Sequence, residues 1–301
     1  MRFLLLPALA FALSAHAAPR AEHVFVVSFD GGKPSVIAES EMPTLKKLAA
    51  EGAVTWQAST IFPSKTLPSH TSMMTGVGPD KHHVLWNDFS PIKGIVRVPT
   101  MFSLLKAARP DAVTVMAVGK VKFRHLWIKD SLDEFNYGGA QAPGPVAGTA
   151  EIEKGKKPSQ EVAKQAVALI KEKKPTLAFI HLTDGDSAGH ASGWGSPEQK
   201  EAFKVSDQAF WQVTQAIKDA GIADSSVIIV SADHGGHLKT HGDNIPDDMI
   251  IPWIAWGKGV KKNYTITAPV TTYDTAATAL WLLDVPVPAE LDGKPVTSAF
   301  E

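Results

Sequence analysis

Four short stretches concentrate side chains that hold metal ions. "VFVVSFD" ends in Asp30, "TDGDSAGH" carries Asp186 and His190, "ADHGGH" carries Asp233 and His234, and "KTHGDN" adds His241. Asp186 and His190 are four residues apart, which on a helical turn puts both on one face, able to grip one cation. Asp233 and His234 are adjacent, so their side chains diverge and suit two different ions. Singly, Asp30 before Gly31-Gly32 reads as a turn residue and His241 as a surface histidine. Together the six suit two metals rather than one, each with an open position. Imidazole mixed with carboxylate favours Zn²⁺ and also accepts Mn²⁺ or Fe; the histidines disfavour Mg²⁺. The chain has no cysteine, which excludes thiolate ligands and disulfides.

Two metal ions about 4 Å apart clamp an anionic oxygen centre and activate a nucleophile. The stretch "IFPSKTLPSHTSMMTG" offers three hydroxyls, Ser64, Thr66 and Ser69, just before a predicted helix with Pro68 near its first turn. Alone, these are helix caps and turn residues. Beside six ligand candidates, a hydroxyl at a helix N-terminus faces free N–H groups and the positive end of the dipole. A neighbouring metal lowers its pKa and makes it a nucleophile.

These groups need a frame. Apolar runs recur at 23–29, 113–118, 176–182, 226–232 and 251–256, several without alternation. That pattern fits strands covered on both faces, as in a largely parallel sheet. Helical patterns lie between them: Val162, Ala166, Val167 and Ile170 share one face, and Phe203, Phe210, Val213 and Ile217 another. The expected fold is α/β, a largely parallel central sheet sandwiched by helices. Ligands of such sheets sit at the carboxyl ends of strands, and three of these runs end in acidic residues. The segment 136–160, rich in Gly, Pro and Lys, reads as a long loop. Strands flank it on both sides, so the chain is not divided there.

The first residues give Arg2, an apolar run from Phe3 to Leu13, and the small-x-small pattern Ala15-His16-Ala17. This predicts a signal peptide over 1–17, an export address in the periplasm or outside the cell, and one domain over 18–301. The run is too short to span a bilayer, and no longer one follows. Formal net charge is −1 over 301 residues, which points to neither nucleic acid nor an anionic membrane as partner. A small-molecule anion would be recognised locally.

In order, "SFDGG", "FPSKTLPSHTSMMTG", "HHVLWND", "DSAGH", "ADHGG" and "THGDN" resemble the successive motifs of the alkaline phosphatase superfamily. The nearest branch is the type I phosphodiesterase / nucleotide pyrophosphatase group, with similarity also to phosphonoacetate hydrolases and threonine-dependent phosphatases. The resemblance covers roughly 23–260. It implies one zinc held by Asp30, Asp233 and His234 with Thr66 beside it, and a second held by Asp186, His190 and His241. It implies Thr66, not Ser64 or Ser69, as nucleophile, and Asn87 as a donor to a phosphoryl oxygen. The implied reaction is in-line attack on phosphorus, giving a phosphothreonine that water then hydrolyses. Two positions depart from the pattern. Leu67-Pro68-Ser69 stands where the nucleotide pyrophosphatases have Phe-Pro-Asn, and His82-His83 where the family has His-Gly.

"AVGKVKFRHLW" bears on substrate. If the preceding strand continues, Lys120, Lys122 and Arg124 point to one side and repel one another unless an anion is present. They then form an anion clamp, similar to the Lys-x-Lys element of phosphonoacetate hydrolases. A cation facing the extra oxygen of a dianionic phosphoryl group favours monoesters or phosphonates, whereas the general motif match favours diesters and pyrophosphates. Three readings follow: a phosphodiesterase-like hydrolase, a phosphomonoesterase or phosphonate hydrolase using Lys120 and Lys122, and a non-catalytic exported zinc-binding protein. His70, His82, His83 and His237 lie near the motifs without an assigned role. A sulfatase is disfavoured: that branch uses a cysteine- or serine-derived formylglycine, and the position holds Thr66.

Overall fold

In the first long strand, Val24 and Val26 point to one side and Phe25, Val27 and Phe29 to the other, and all five are buried. Such a strand needs cover on both faces. In the computed structural model, which describes residues 20–137, 140–141 and 158–301, helices supply it. The predicted signal peptide and most of the 136–160 segment lie outside the described residues.

Nine described strands form one sheet: β1 (His23–Phe29), β2 (Ala53–Ser59), β3 (Thr114–Val118), β4 (Glu134–Tyr137), β5 (Ala140–Gln141), β6 (Leu177–Leu182), β7 (Ser226–Ser231), β8 (Ile250–Gly257) and β9 (Tyr264–Thr265). Their order is β5-β4-β3-β6-β1-β7-β8-β2-β9. The sheet is largely parallel; β4–β5, β7–β8 and β2–β8 are the antiparallel pairs. The expected run 251–256 is therefore a strand, β8, that runs against its neighbours.

The described α-helices are α1 (Pro34–Glu39), α2 (Pro43–Glu51), α3 (Thr66–Thr75), α4 (Pro79–His82), α5 (Met101–Ala108), α6 (Pro158–Lys173), α7 (Asp184–Ser192), α8 (Pro197–Asp219), α9 (Pro246–Met249) and α10 (Asp274–Leu282). One core layer joins Phe25, Val27, Ile180 and Ile228 to Val162, Ala166 and Ile170 of α6 and Phe203, Phe210, Val213 and Ile217 of α8. The opposite layer joins Val24, Val26, Phe179 and Ile229 to Met73 and Met74 of α3, Phe102 of α5 and Leu280 of α10. This is the expected sandwich. Each large side chain withdrawn from water contributes about 1.5–3 kcal/mol, so the two layers hold the sheet rigid beneath the loops at its edge.

One expectation fails. The strand through 113–118 stops at Val118, and Val121–Leu126 is a 3₁₀ helix. The cause is burial at a spacing of three: Phe123 and Leu126 are both fully buried, and residues three apart stack on one side of a 3₁₀ turn. Lys120, Lys122 and Arg124 therefore do not line one strand face.

Candidate active site

β6, β1 and β7 are adjacent and parallel, so their carboxyl ends open on the same edge of the sheet. Asp30 follows β1 directly, Asp186 lies in the first turn of α7 just after β6, and Asp233 follows β7 by two residues. α7 gives Asp186 and His190 their common face. Thr66 is the first residue of α3, capped by Gly76 in the left-handed region (φ 72°), the conformation glycine adopts at no steric cost.

Two trios of candidate ligand atoms form there, each within 4.8 Å: Asp30, Asp233 and His234, and Asp186, His190 and His241; the adjacent Asp233 and His234 therefore converge on one site rather than diverging to two, as their spacing suggested. His234 Nε2 stands 3.5 Å from Asp30 Oδ1 and 3.2 Å from Asp233 Oδ2. Asp186 Oδ1 stands 3.4 Å from His190 Nε2 and 3.6 Å from His241 Nε2. Ligand atoms around a tetrahedral ion with bonds of about 2.1 Å are about 3.4 Å apart. The His234 and His241 rings stack at 3.6 Å and join the trios.

The hydrogen bonding fits bound cations. Asp30 Oδ1, Asp186 Oδ1 and Asp233 Oδ2 are buried without a hydrogen-bond partner, a costly arrangement unless something else meets them. Their other oxygens are engaged: Asp30 Oδ2 by His181 and Lys120, Asp186 Oδ2 by Lys120, and Asp233 Oδ1 by the Gly31 N–H. The histidines are arranged the same way. Nδ1–H of His234, His190 and His241 donates to the carbonyls of Gly235, Lys239 and Ser64 at 2.8–2.9 Å, which leaves each Nε2 lone pair free for a metal.

The charges agree. Burial depresses the His234 pKa, and burial with the neighbouring His234 brings His241 down to about 3, so both rings are neutral at neutral pH, the form that can bind a metal. Burial and the charge of Asp30 push the Asp233 carboxyl well above its usual range. Burial opposes ionisation of Asp30 too, but Lys120 and His181 outweigh it and hold that carboxyl low. Three buried carboxylates thus face one ammonium, a deficit of positive charge that divalent ions would fill.

Thr66 Oγ1 is 3.5 Å from His234 Nε2 and 3.5 Å from Lys120 Nζ, and the residue is buried. Asn87 Oδ1 accepts the Leu67 N–H at 2.9 Å; its Nδ2 hydrogens have no partner among the described residues. Lys122 is partly buried in the fields of Lys120, Asp30, Asp186 and Asp88. Arg124 instead lies over the Phe89 ring at 5.8 Å. Ser64 Oγ donates to the Asp243 carbonyl, and Ser69 Oγ accepts from Thr60.

The remaining histidines divide. His70 contacts Ser28 Oγ and the Thr66 carbonyl, and His82 contacts Ser72 Oγ. His83 is exposed. His237 stands in neither trio; with Asp243 and Asp248 it makes a third close group, but Asp248 is fully hydrogen-bonded, to His237 Nδ1 and to the N–H groups of Gly242 and Asp243. Sequence reasoning missed His181, whose Nε2–H donates to Asp30 at 2.9 Å. Its one signal was a histidine inside a wholly buried strand.

Solved structures share this architecture: murine ectonucleotide pyrophosphatase/phosphodiesterase 5 in complex with AMP superposes with a TM-score of 0.73 at 16% identity, covering 93% of this chain and 100% of that one. A 2-O GAG sulfatase gives 0.71 at 13% identity, covering 93% and 74%. The fold is that of the alkaline phosphatase superfamily. Within it, residues 24–250 match the model of the type I phosphodiesterase / nucleotide pyrophosphatase family, and the chain belongs to that family. Curated relatives include ectonucleotide pyrophosphatase/phosphodiesterase family member 7 of Mus musculus, 25% identical over 72% of this chain and 50% of that protein. GPI ethanolamine phosphate transferase 1 of Chaetomium globosum is 34% identical over 35% of this chain and 12% of its own length. The chain thus spans half or less of these relatives. No helix among the described residues is long and apolar enough to cross a membrane.

Proposed function

We propose that the protein is an exported, metal-dependent phosphoric ester hydrolase of the phosphodiesterase / nucleotide pyrophosphatase type, acting on a small molecule through a phosphothreonine at Thr66. Its mature chain, 18–301, is one catalytic domain, and the leader pattern supports a periplasmic or secreted location. The observation that carries the reading is the pair of trios with unpaired ligand atoms beside the Thr66 hydroxyl. Asp30, Asp233 and His234, with Thr66, would hold one ion; Asp186, His190 and His241 would hold another. The donor set suits two Zn²⁺, with Mn²⁺ or Fe as substitutes. Bound there, the ions stabilise developing oxyanion charge and lower the pKa of the Thr66 hydroxyl.

Thr66 Oγ1 attacks phosphorus in line. The Oγ1–P bond forms as the bond to the leaving oxygen breaks, and the hydroxyl proton passes to solvent. Asn87 donates from Nδ2 to a phosphoryl oxygen, because its Oδ1 is held by Leu67. Water then attacks the phosphothreonine, the P–Oγ1 bond breaks, and Thr66 is restored.

Thr66→Ala in the zinc-loaded protein tests this. Metal content should stay at the wild-type value while hydrolysis of bis-p-nitrophenyl phosphate and p-nitrophenyl phosphate disappears. Wild-type turnover in the variant sinks the nucleophile assignment. Absence of turnover in the wild type, with metal bound, would favour a zinc-binding protein without catalysis.

One observation favours a second reading, a phosphomonoesterase or phosphonate hydrolase: Lys122 has no ion-pair partner among the described residues and sits in the field of the site. If it meets a dianionic phosphoryl group, Lys122→Ala should lose monoester activity selectively. A diester preference indifferent to Lys122 would leave the phosphodiesterase reading standing.

A further inference from the structure

We infer that Lys120 serves the metal centre rather than the substrate: it is a positioning residue that braces Asp30 against Asp186, one carboxylate from each trio. This rests on the metal reading above and divides what the sequence presents as one clamp.

A lysine ammonium has three donors and no acceptor. Lys120 Nζ lies 2.6 Å from Asp30 Oδ2, 2.6 Å from Asp186 Oδ2 and 3.5 Å from Thr66 Oγ1. All three donors are spent on the protein, the two short ones on ligand carboxylates. The oxygens it takes are not those that face the histidines. Asp30 Oδ1 and Asp186 Oδ1 remain unpaired on the ligand side, so Lys120 and the metal sites address opposite oxygens of the same carboxylates. Each carboxylate is thereby held to offer one oxygen to its trio.

The brace is itself held. His181 Nε2–H donates to Asp30 Oδ2 at 2.9 Å, while His181 Nδ1 accepts the N–H of Gly119, the residue before Lys120. Gly119 has no room for a side chain, since a Cβ there would meet Thr183 Cγ2 at 2.6 Å. The turn that launches Lys120 is therefore pinned against the end of β6. Lys122, two residues on, has no such partners and is left as the cation free to meet a phosphoryl oxygen.

The test uses the mature protein loaded with Co²⁺, as wild type, Lys120→Met and Lys122→Met, with three readouts: cobalt per chain, the visible absorption of the bound cobalt, and inhibition by inorganic phosphate. Without the brace, the second oxygens of Asp30 and Asp186 can swing onto the metal and raise its coordination number. Lys120→Met should therefore lose visible absorbance per bound cobalt while the phosphate inhibition constant moves less than about threefold. Lys122→Met should keep the wild-type spectrum and bind phosphate about tenfold or more weakly, the loss expected for one charge-assisted hydrogen bond. Lys120→Gln, which keeps an amide donor, should fall between wild type and Lys120→Met in absorbance and guards against a folding defect in the methionine variant. A wild-type spectrum in Lys120→Met overturns the brace, whether or not phosphate binding weakens. If wild type takes up no cobalt, the metal reading itself fails and the brace falls with it.

Discussion

The Leu67 N–H donates to Asn87 Oδ1 at 2.9 Å, so one side chain satisfies a free N–H in the first turn of α3 and keeps its Nδ2 hydrogens without a partner among the described residues. The carbonyl oxygen must accept from Leu67, which fixes the amide orientation. Asn87→Ala should lower kcat about 10²- to 10³-fold, the usual loss for one preorganised oxyanion donor. Asn87→Asp keeps an acceptor for Leu67 but sets an anionic oxygen against the phosphoryl group, so its kcat/KM should fall at least as far with the melting temperature little changed. Wild-type kinetics in Asn87→Asp would remove Asn87 from the chemistry.

Gly235 follows His234 of the first trio and donates its N–H to the Asp248 carbonyl at 2.9 Å. A Cβ there would stand 2.0 Å from the Asp247 carbonyl oxygen. That atom is backbone and cannot step aside as a side chain tip would, so the loop carrying Asp233 and His234 must move. Gly235→Ala should cost about 1–3 kcal/mol of stability, as overpacking does, and reduce bound metal per chain. Gly78→Ala is the comparator, since its Cβ meets only Asp292 Oδ2, at 3.6 Å. Equal melting temperatures and metal contents in the two variants would show that the loop tolerates the side chain.

The candidate ligand set was legible because metal chemistry restricts residue type, and because strand ends in a parallel sheet converge. Asp30, Asp186 and Asp233 each announce themselves at the end of an apolar run. His181 was hidden by its setting: inside "TLAFIHL" it reads as one polar residue in a buried strand, and only the register of β6 beside β1 brings it to Asp30. Lys120 was read as facing substrate because strand alternation was carried past Val118. Nothing local says that Phe123 and Leu126 would bury at 3₁₀ spacing and turn the chain inward. β2 was missed for a similar reason. Its Thr55, Trp56 and Gln57 give no long apolar run, and its place is set by pairing with β8 and β9.

Away from the candidate metal site, His82 makes the fold sensitive to acid. Its Nδ1 accepts the Val84 N–H at 2.9 Å, so its proton sits on Nε2 toward Ser72 Oγ. Burial first, then the charge of His83, bring its pKa from the ordinary 6.5 down to about 4. The unfolded chain therefore binds a proton between those values that the folded chain refuses. Stability on this account is complete above pH 6.5 and is lost as pH falls toward 4, by about 2 kcal/mol at pH 5. His70 and His181, also depressed by burial, add losses in the same direction. His82→Asn keeps an acceptor for Val84 but has no proton to gain. It should melt below wild type at pH 7, where the Ser72 contact is missing, and the gap should narrow at pH 5. Denaturant melts of both proteins at the two pH values, compared as a difference, cancel what the other histidines lose in common. A gap that stays constant or widens on acidification would show that His82 does not carry this sensitivity.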